Sequence, residues 1–118
     1  MANDFKRFCV PNVGTSLTTL YGVPAGASSA ALESIVIGIT MANKTSTGVV
    51  ASIFIDNEDG TNDVFIVKDA SIPAGASLEV MAGNKLVLQN DGTNGDNLEA
   101  ICSAANSLDI TVSVLEDV

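Results

Sequence analysis

The chain has 118 residues, of which 14 are acidic and 5 basic, for a formal net charge of −9. That length suits one domain with a sizeable core, and an apolar content of 47% argues against intrinsic disorder. Histidine is absent, which removes the commonest general base, the usual zinc ligand and every Ser-His-Asp or Cys-His arrangement.

Aromatics make up 4%, with Tyr21 the single tyrosine and no tryptophan, so an aliphatic core is expected. Strong negative charge without a basic cluster argues against nucleic acid and anionic membranes as partners. The opening Met1-Ala2-Asn3-Asp4-Phe5-Lys6-Arg7-Phe8 leads into polar sequence, so no signal peptide is expected. No apolar run approaches ~18 residues, so no membrane-spanning segment is expected either.

Residues 1–14 read as an amino-terminal strand or arm and 15–118 as a single β-sandwich domain. Within the first segment, Phe5 to Val10 is apolar except for Lys6-Arg7, the one adjacent basic pair in the chain. One reading is an edge strand whose charges discourage aggregation. The other is an arm in which Phe5, Lys6, Arg7 and Phe8 form an interface, adding a strand to a neighbouring subunit with the cations on acidic surface. Leu17 to Tyr21 is a further short strand. Ala25 to Leu32 is the sole short helical candidate and reads better as a loop.

Ile35, Ile37, Ile39 and Met41 alternate with Ser34, Val36, Gly38 and Thr40 and predict a strand with the first set inward. Val49, Ala51, Ile53 and Ile55 define the next, with Val50, Ser52 and Phe54 on its reverse face. The polar link Asn43-Lys44-Thr45-Ser46 suggests that these two strands form an antiparallel hairpin. Val64-Phe65-Ile66-Val67 is apolar on both faces, as expected of a covered central strand, and its surplus surface suggests burial between subunits. Leu78 to Ala82, Lys85 to Gln89 and Leu98 to Ser103 are shorter candidates. Leu108 to Leu115 is the clearest strand: Leu108, Ile110, Val112 and Val114 point one way and Asp109, Thr111 and Ser113 the other. Together these elements predict an all-β, antiparallel, jelly-roll-like β-sandwich of eight to nine short strands.

Turn chemistry separates the strands at Asp59-Gly60, Gly83-Asn84, Asp91-Gly92 and Asn94-Gly95. Pro24-Ala25-Gly26-Ala27-Ser28 recurs as Pro73-Ala74-Gly75-Ala76-Ser77, either as a repeated turn solution or as equivalent corners of two packed sheets. Cys9 and Cys102 permit one disulfide, but both fall on strand faces that read as buried and are expected to be free thiols. The acidic run Asp56 to Asp63 does not match the ligand spacing of an EF-hand, and irregular cation binding by its carboxylates is the alternative to a solvated loop. Glu33, Glu79 and Glu99 read as outward strand residues. Nothing calls for a cofactor, a small-molecule substrate or a catalytic group, so no enzyme is expected.

Several phrases carry a resemblance. Met1 to Phe8 with Asn12-Val13-Gly14-Thr15-Ser16, then Ile72 to Leu78, Asn97 to Ile101 and Ile110 to Glu116, resemble small virion proteins of tailed, marine, cyanophage-like bacteriophages. The resemblance implies a β-sandwich made in the bacterial host cytoplasm and carried on the virion, with other virion proteins and copies of itself as partners. A capsid decoration or cement protein is the leading expectation. A neck, tail or baseplate adaptor is the alternative, and a carbohydrate- or receptor-binding module using Tyr21 is a third.

Overall fold

The computed structural model describes residues 3–57, 63–81 and 85–117. Among these described residues nine strands run in the order β1 (Asn3–Val13), β2 (Thr18–Gly22), β3 (Leu32–Asn43), β4 (Val49–Asp56), β5 (Asp63–Ile72), β6 (Ser77–Glu79), β7 (Leu86–Asn90), β8 (Asn97–Cys102) and β9 (Leu108–Asp117). A single 3₁₀ turn, Ala27–Ser29, interrupts the long link between β2 and β3. The strands form two antiparallel sheets. One has the order β1-β9-β3, with β6 and β7 pairing successive halves of β3, and the other has the order β2-β8-β4-β5. The protein is an all-β antiparallel sandwich.

The core lies between the sheets and is aliphatic. Val36, Ile39, Ile53, Leu88, Leu98 and Val112 have no accessible surface. β9 follows its alternation along its length, with Leu108, Ile110, Val112 and Val114 buried against the opposite sheet. The alternation in β3 breaks. Val36 pairs with Val114 and Gly38 with Ser113, so Ile37 is an extra residue, a β-bulge that reverses the phase of the strand. Ser34 and Val36 therefore point inward together with Ile39 and Met41, while Ile37 is 41% exposed and Ile35 lies on the outer face. The expected inward set Ile35, Ile37, Ile39 and Met41 is corrected at its first two members.

The expected hairpin of β3 and β4 does not form, because the two strands belong to different sheets. Both edges of β3 are occupied, one by β9 and the other by β6 and β7. At the corner, the buried Asn43 side chain donates to the carbonyls of Thr47, Ile72 and Pro73 at 2.9, 3.0 and 3.2 Å. Its Oδ1 accepts from the Thr45 amide at 3.0 Å and from the Thr45 hydroxyl at 2.7 Å. Asn43 thus turns the chain out of one sheet and into the other. Val64 to Val67 lies in β5, an edge strand paired only with β4 among the described residues. Val64 and Phe65 are 52% and 46% exposed, so the expected central strand is an open edge. Cys102 is buried and Cys9 exposed, and both are free thiols; on the edge strand β1 the inward positions are Lys6, Phe8 and Val10, which turns Cys9 outward.

The two identical pentapeptides take different shapes. Around Gly75 the chain makes a tight turn, with the Ala76 amide donating to the Pro73 carbonyl at 3.0 Å and Gly75 at φ +71°. Gly26 sits at φ −72° at the start of the 3₁₀ turn. Neighbouring structure therefore selects the shape, and the pentapeptides are not equivalent corners. The Asp59-Gly60 and Gly83-Asn84 turns and Ala82 lie outside the described residues. Gly92, at φ +99°, lies against the Ser29 carbonyl, so a Cβ there would strike backbone, whereas one on Gly75 would meet open space. Gly75→Ala is expected to cost about 1–2 kcal/mol through its left-handed backbone alone. Gly92→Ala adds a clash and is expected to lower the urea midpoint clearly further.

Candidate functional site: the amino-terminal edge strand and its buried anchor

β1 is one edge of its sheet and pairs with β9 from Asn3↔Asp117 to Val13↔Leu108, with a bulge between Val10 and Val13. Strand alternation divides the four residues singled out in sequence. Phe5 and Arg7 point to solvent, with Phe5 75% exposed, while Lys6 and Phe8 turn toward the sandwich. Phe8 packs on Tyr21 of the opposite sheet with ring centroids 5.0 Å apart.

Lys6 reaches a carboxylate that charge counting alone would put in water. Glu116 is 2% exposed, in phase with the buried face of β9. Its Oε1 lies 2.9 Å from the Lys6 ammonium, an ion pair, and accepts no hydrogen bond of regular geometry among the described residues. Its Oε2 accepts a short hydrogen bond from the Tyr21 hydroxyl, which also contacts Ser34 Oγ at 2.7 Å. Tyr21 can turn inward directly after Leu20 because the β2–β8 register shifts between Thr19 and Tyr21, leaving both residues buried. Ser34 is brought to the same place by the bulge at Ile37. The cluster therefore joins β1, β2, β3 and β9 across both sheets.

Its electrostatics follow from burial. The hydrogen bond and charge of Glu116 hold the Lys6 ammonium above its ordinary pKa. Desolvation first, then the Glu116 carboxylate, push the Tyr21 phenol well above its ordinary value. A lysine, a tyrosine and a carboxylate in contact would suit proton transfer only beside a substrate, and here Tyr21, Ser34 and Glu116 are all buried. Two surface depressions among the described residues lie elsewhere. One of about 170 Å³ is bordered by Asn12, Thr15 and Asn106, and one of about 180 Å³ by Glu33, Gln89 and Asp91. Tyr21 is 4% exposed with its hydroxyl occupied, so it provides no stacking platform for a sugar.

Among the described residues no group of three acidic or cysteine side chains could hold a metal ion. Most of the acidic run from Asp56 to Asp63 lies outside the described residues. Asp91 instead caps its own turn, with Oδ1 accepting from the Thr93 and Asn94 amides at 2.8 Å each; these bonds hold its carboxyl below the ordinary range. No helix of the described structure is long and apolar enough to cross a membrane.

No protein-family profile and no curated protein matches the chain. Solved structures do. A chain of the T=1 particles derived from infectious bursal virus superposes with a TM-score of 0.50 at 17% identity, over 96% of this chain and 29% of that one. A chain of the Gx strain of infectious bursal disease virus gives 0.49 at 19% identity, over 98% and 31%. A chain of the Bacillus endospore appendages, described as disulfide-linked pili, gives 0.44 at 12% identity, over 97% and 86%. This chain spans less than a third of the viral chains, and at these identities the likeness is one of fold.

Two outcomes test the anchor. Tyr21→Phe removes a hydrogen bond to a buried carboxylate and is expected to lower the unfolding free energy by about 2 kcal/mol in urea titrations. The alkaline response should have one sign. The Lys6 contribution is fully present below its ordinary pKa of 10.5 and is lost as pH rises through the higher folded value. The unfolded chain ionises Tyr21 near 10.0 while the folded chain keeps it protonated, so the native state loses ground there too. Unfolding free energy is expected to fall from about pH 10 upward, with phenolate absorbance appearing only as structure is lost.

Proposed function

We propose that this protein is a non-enzymatic structural component of a bacteriophage virion, a capsid decoration or cement protein that acts by adhesion between subunits. The observation that carries the reading is the edge strand β1. Lys6 and Phe8 fasten it to the sandwich, and Phe5 and Arg7 are presented outside along an edge that has no partner strand among the described residues. Such an edge is suited to strand addition onto another protein. The aliphatic sandwich, the absence of histidine and the burial of Tyr21 and Glu116 support a role without chemistry. The particle-derived viral chain with a TM-score of 0.50 supports a scaffold suited to assembly, and the phage-like phrases support the kind of particle.

The partners in this reading are acidic surfaces of other virion proteins and further copies of this chain, and the location is the particle surface. Purified particles are expected to contain the chain by mass spectrometry, and particle images to show it at many capsid sites. Particles without it would overturn the virion role, while a single ring of copies would assign it to the neck, tail or baseplate. Arg7→Glu is expected to weaken binding to stripped particles at least roughly tenfold, with an unchanged thermal melt. Unaltered binding by that variant would remove β1 from the interface.

A further inference from the structure

The registers of three neighbouring strand pairs align one row of side chains on the outer face of the larger sheet. Phe5 pairs with Leu115, Leu115 with Ile35, and Ile35 with Val87. Paired residues of a sheet share a face, so these four form an apolar stripe across β1, β9, β3 and β7. Phe5 is 75% and Val87 56% exposed, and the bulged Ile37 adds to the same face. The stripe is local. At the other end of β9 the outward residues are Asp109, Thr111 and Ser113, and Asp109 is paired with Lys44 at 2.9 Å. An apolar row on one end of an otherwise polar sheet face marks a contact surface.

The charges beside the stripe identify its occupant. β1 and β3 run in the same direction, so Arg7, two residues beyond Phe5, lies on one side, and Glu33, two residues before Ile35, on the other. Lys85, immediately before β7 and two residues from Val87, belongs to the Arg7 side because β7 is antiparallel to β3. Two of the five cations of the chain thus flank one side of the stripe. Among the described residues Arg7, Lys85 and Glu33 have no ion-pair partner. A two-fold axis along the stripe lays Phe5 on Phe5 and Val87 on Val87, and turns the cationic side of one copy over the Glu33 side of the other. Since β7 and β3 are adjacent, Lys85 of one copy is then offset sideways from Glu33 of the other by about one strand spacing, roughly 5 Å, across a gap of about 10 Å between the stacked sheets that the two long side chains span from both sides.

We propose that the Phe5–Leu115–Ile35–Val87 stripe is a self-association surface, and that its occupant is the same stripe of a second copy, face to face about a two-fold axis. This rests on the adhesive reading above but is independent of where the protein is used. Sheet-on-sheet stacking is the geometry the sandwich already uses internally, and a symmetric contact closes at two copies.

Sedimentation equilibrium of the full chain tests it. The wild type is expected to form a dimer of twice the 12.0 kDa chain mass. Val87→Lys is expected to weaken that dimer at least roughly tenfold, with circular dichroism and melting unchanged. The added lysine lowers the mutual repulsion of two acidic chains, so weakening reports the lost apolar contact. Val50→Lys, on the outer face of the other sheet, should leave the dimer intact. Glu33→Lys and Lys85→Glu should each weaken it, and the double variant should recover it. A monomeric wild type, a dimer indifferent to Val87→Lys, or no recovery in the double variant would overturn the proposal. Loss of particle binding by Val87→Lys with a monomeric wild type would assign the stripe to a different protein and overturn self-association. A stripe-dependent dimer absent from particles would leave this surface standing and overturn the virion role.

Discussion

The buried Glu116 carboxylate sets the terms for the edge on which the adhesive reading depends. A carboxylate excluded from water is stable only when paired and hydrogen-bonded, and Lys6 and Tyr21 meet that requirement from different sheets. Because side chains alternate along a strand, the pairing also fixes register. A slip of β1 by one residue would carry Lys6 to the outer face, leave Glu116 uncompensated and send Phe5 and Arg7 inward. The internal ion pair therefore decides what the outside of β1 displays. Site and surface are one constraint viewed from two sides of a sheet.

Much of the fold was legible because much of it is periodic. β9 reads off its alternation directly, and extending that phase by one more step, from Val114 to Glu116, places a carboxylate among buried residues. The signal for the anchor was present in the spacing and was masked by the expectation that glutamate faces water. β3 misled for the opposite reason: its isoleucines alternate without a break, yet one extra residue at Ile37 reverses the phase. A bulge has no signature when the residues on both faces are apolar. The hairpin expectation failed on Asn43, since a polar link is as suitable for crossing between sheets as for returning along one, and its hydrogen bonds reach Ile72 and Pro73, far away in sequence. Whether Val64 to Val67 was central or at an edge depended on sheet order, which local composition does not encode. Phe5, Lys6, Arg7 and Phe8 stood out in the sequence as a group expected to form an interface, but only the fold separates the two that turn toward the sandwich from the two that are displayed.

The remaining sheet edges show why the adhesive reading turns to β1. Long, flat edge strands invite pairing with other chains, and proteins blunt them by shortening, bulging or charge. Here β2 has five residues, β6 three and β7 five, too short to template much pairing. β5 is longer, but it is bulged where Asp69 takes φ +52° and its amide donates to Ser52 Oγ at 2.9 Å. β1 is bulged only at Pro11 and Asn12, which leaves residues 3 to 10 in continuous register. An inward-pointing lysine is itself a common guard against edge pairing, since burying it under an added strand is costly. Glu116 weakens that guard by pairing with the partly exposed Lys6. The same carboxylate that fastens β1 to its own sandwich therefore leaves its outer side free to meet another.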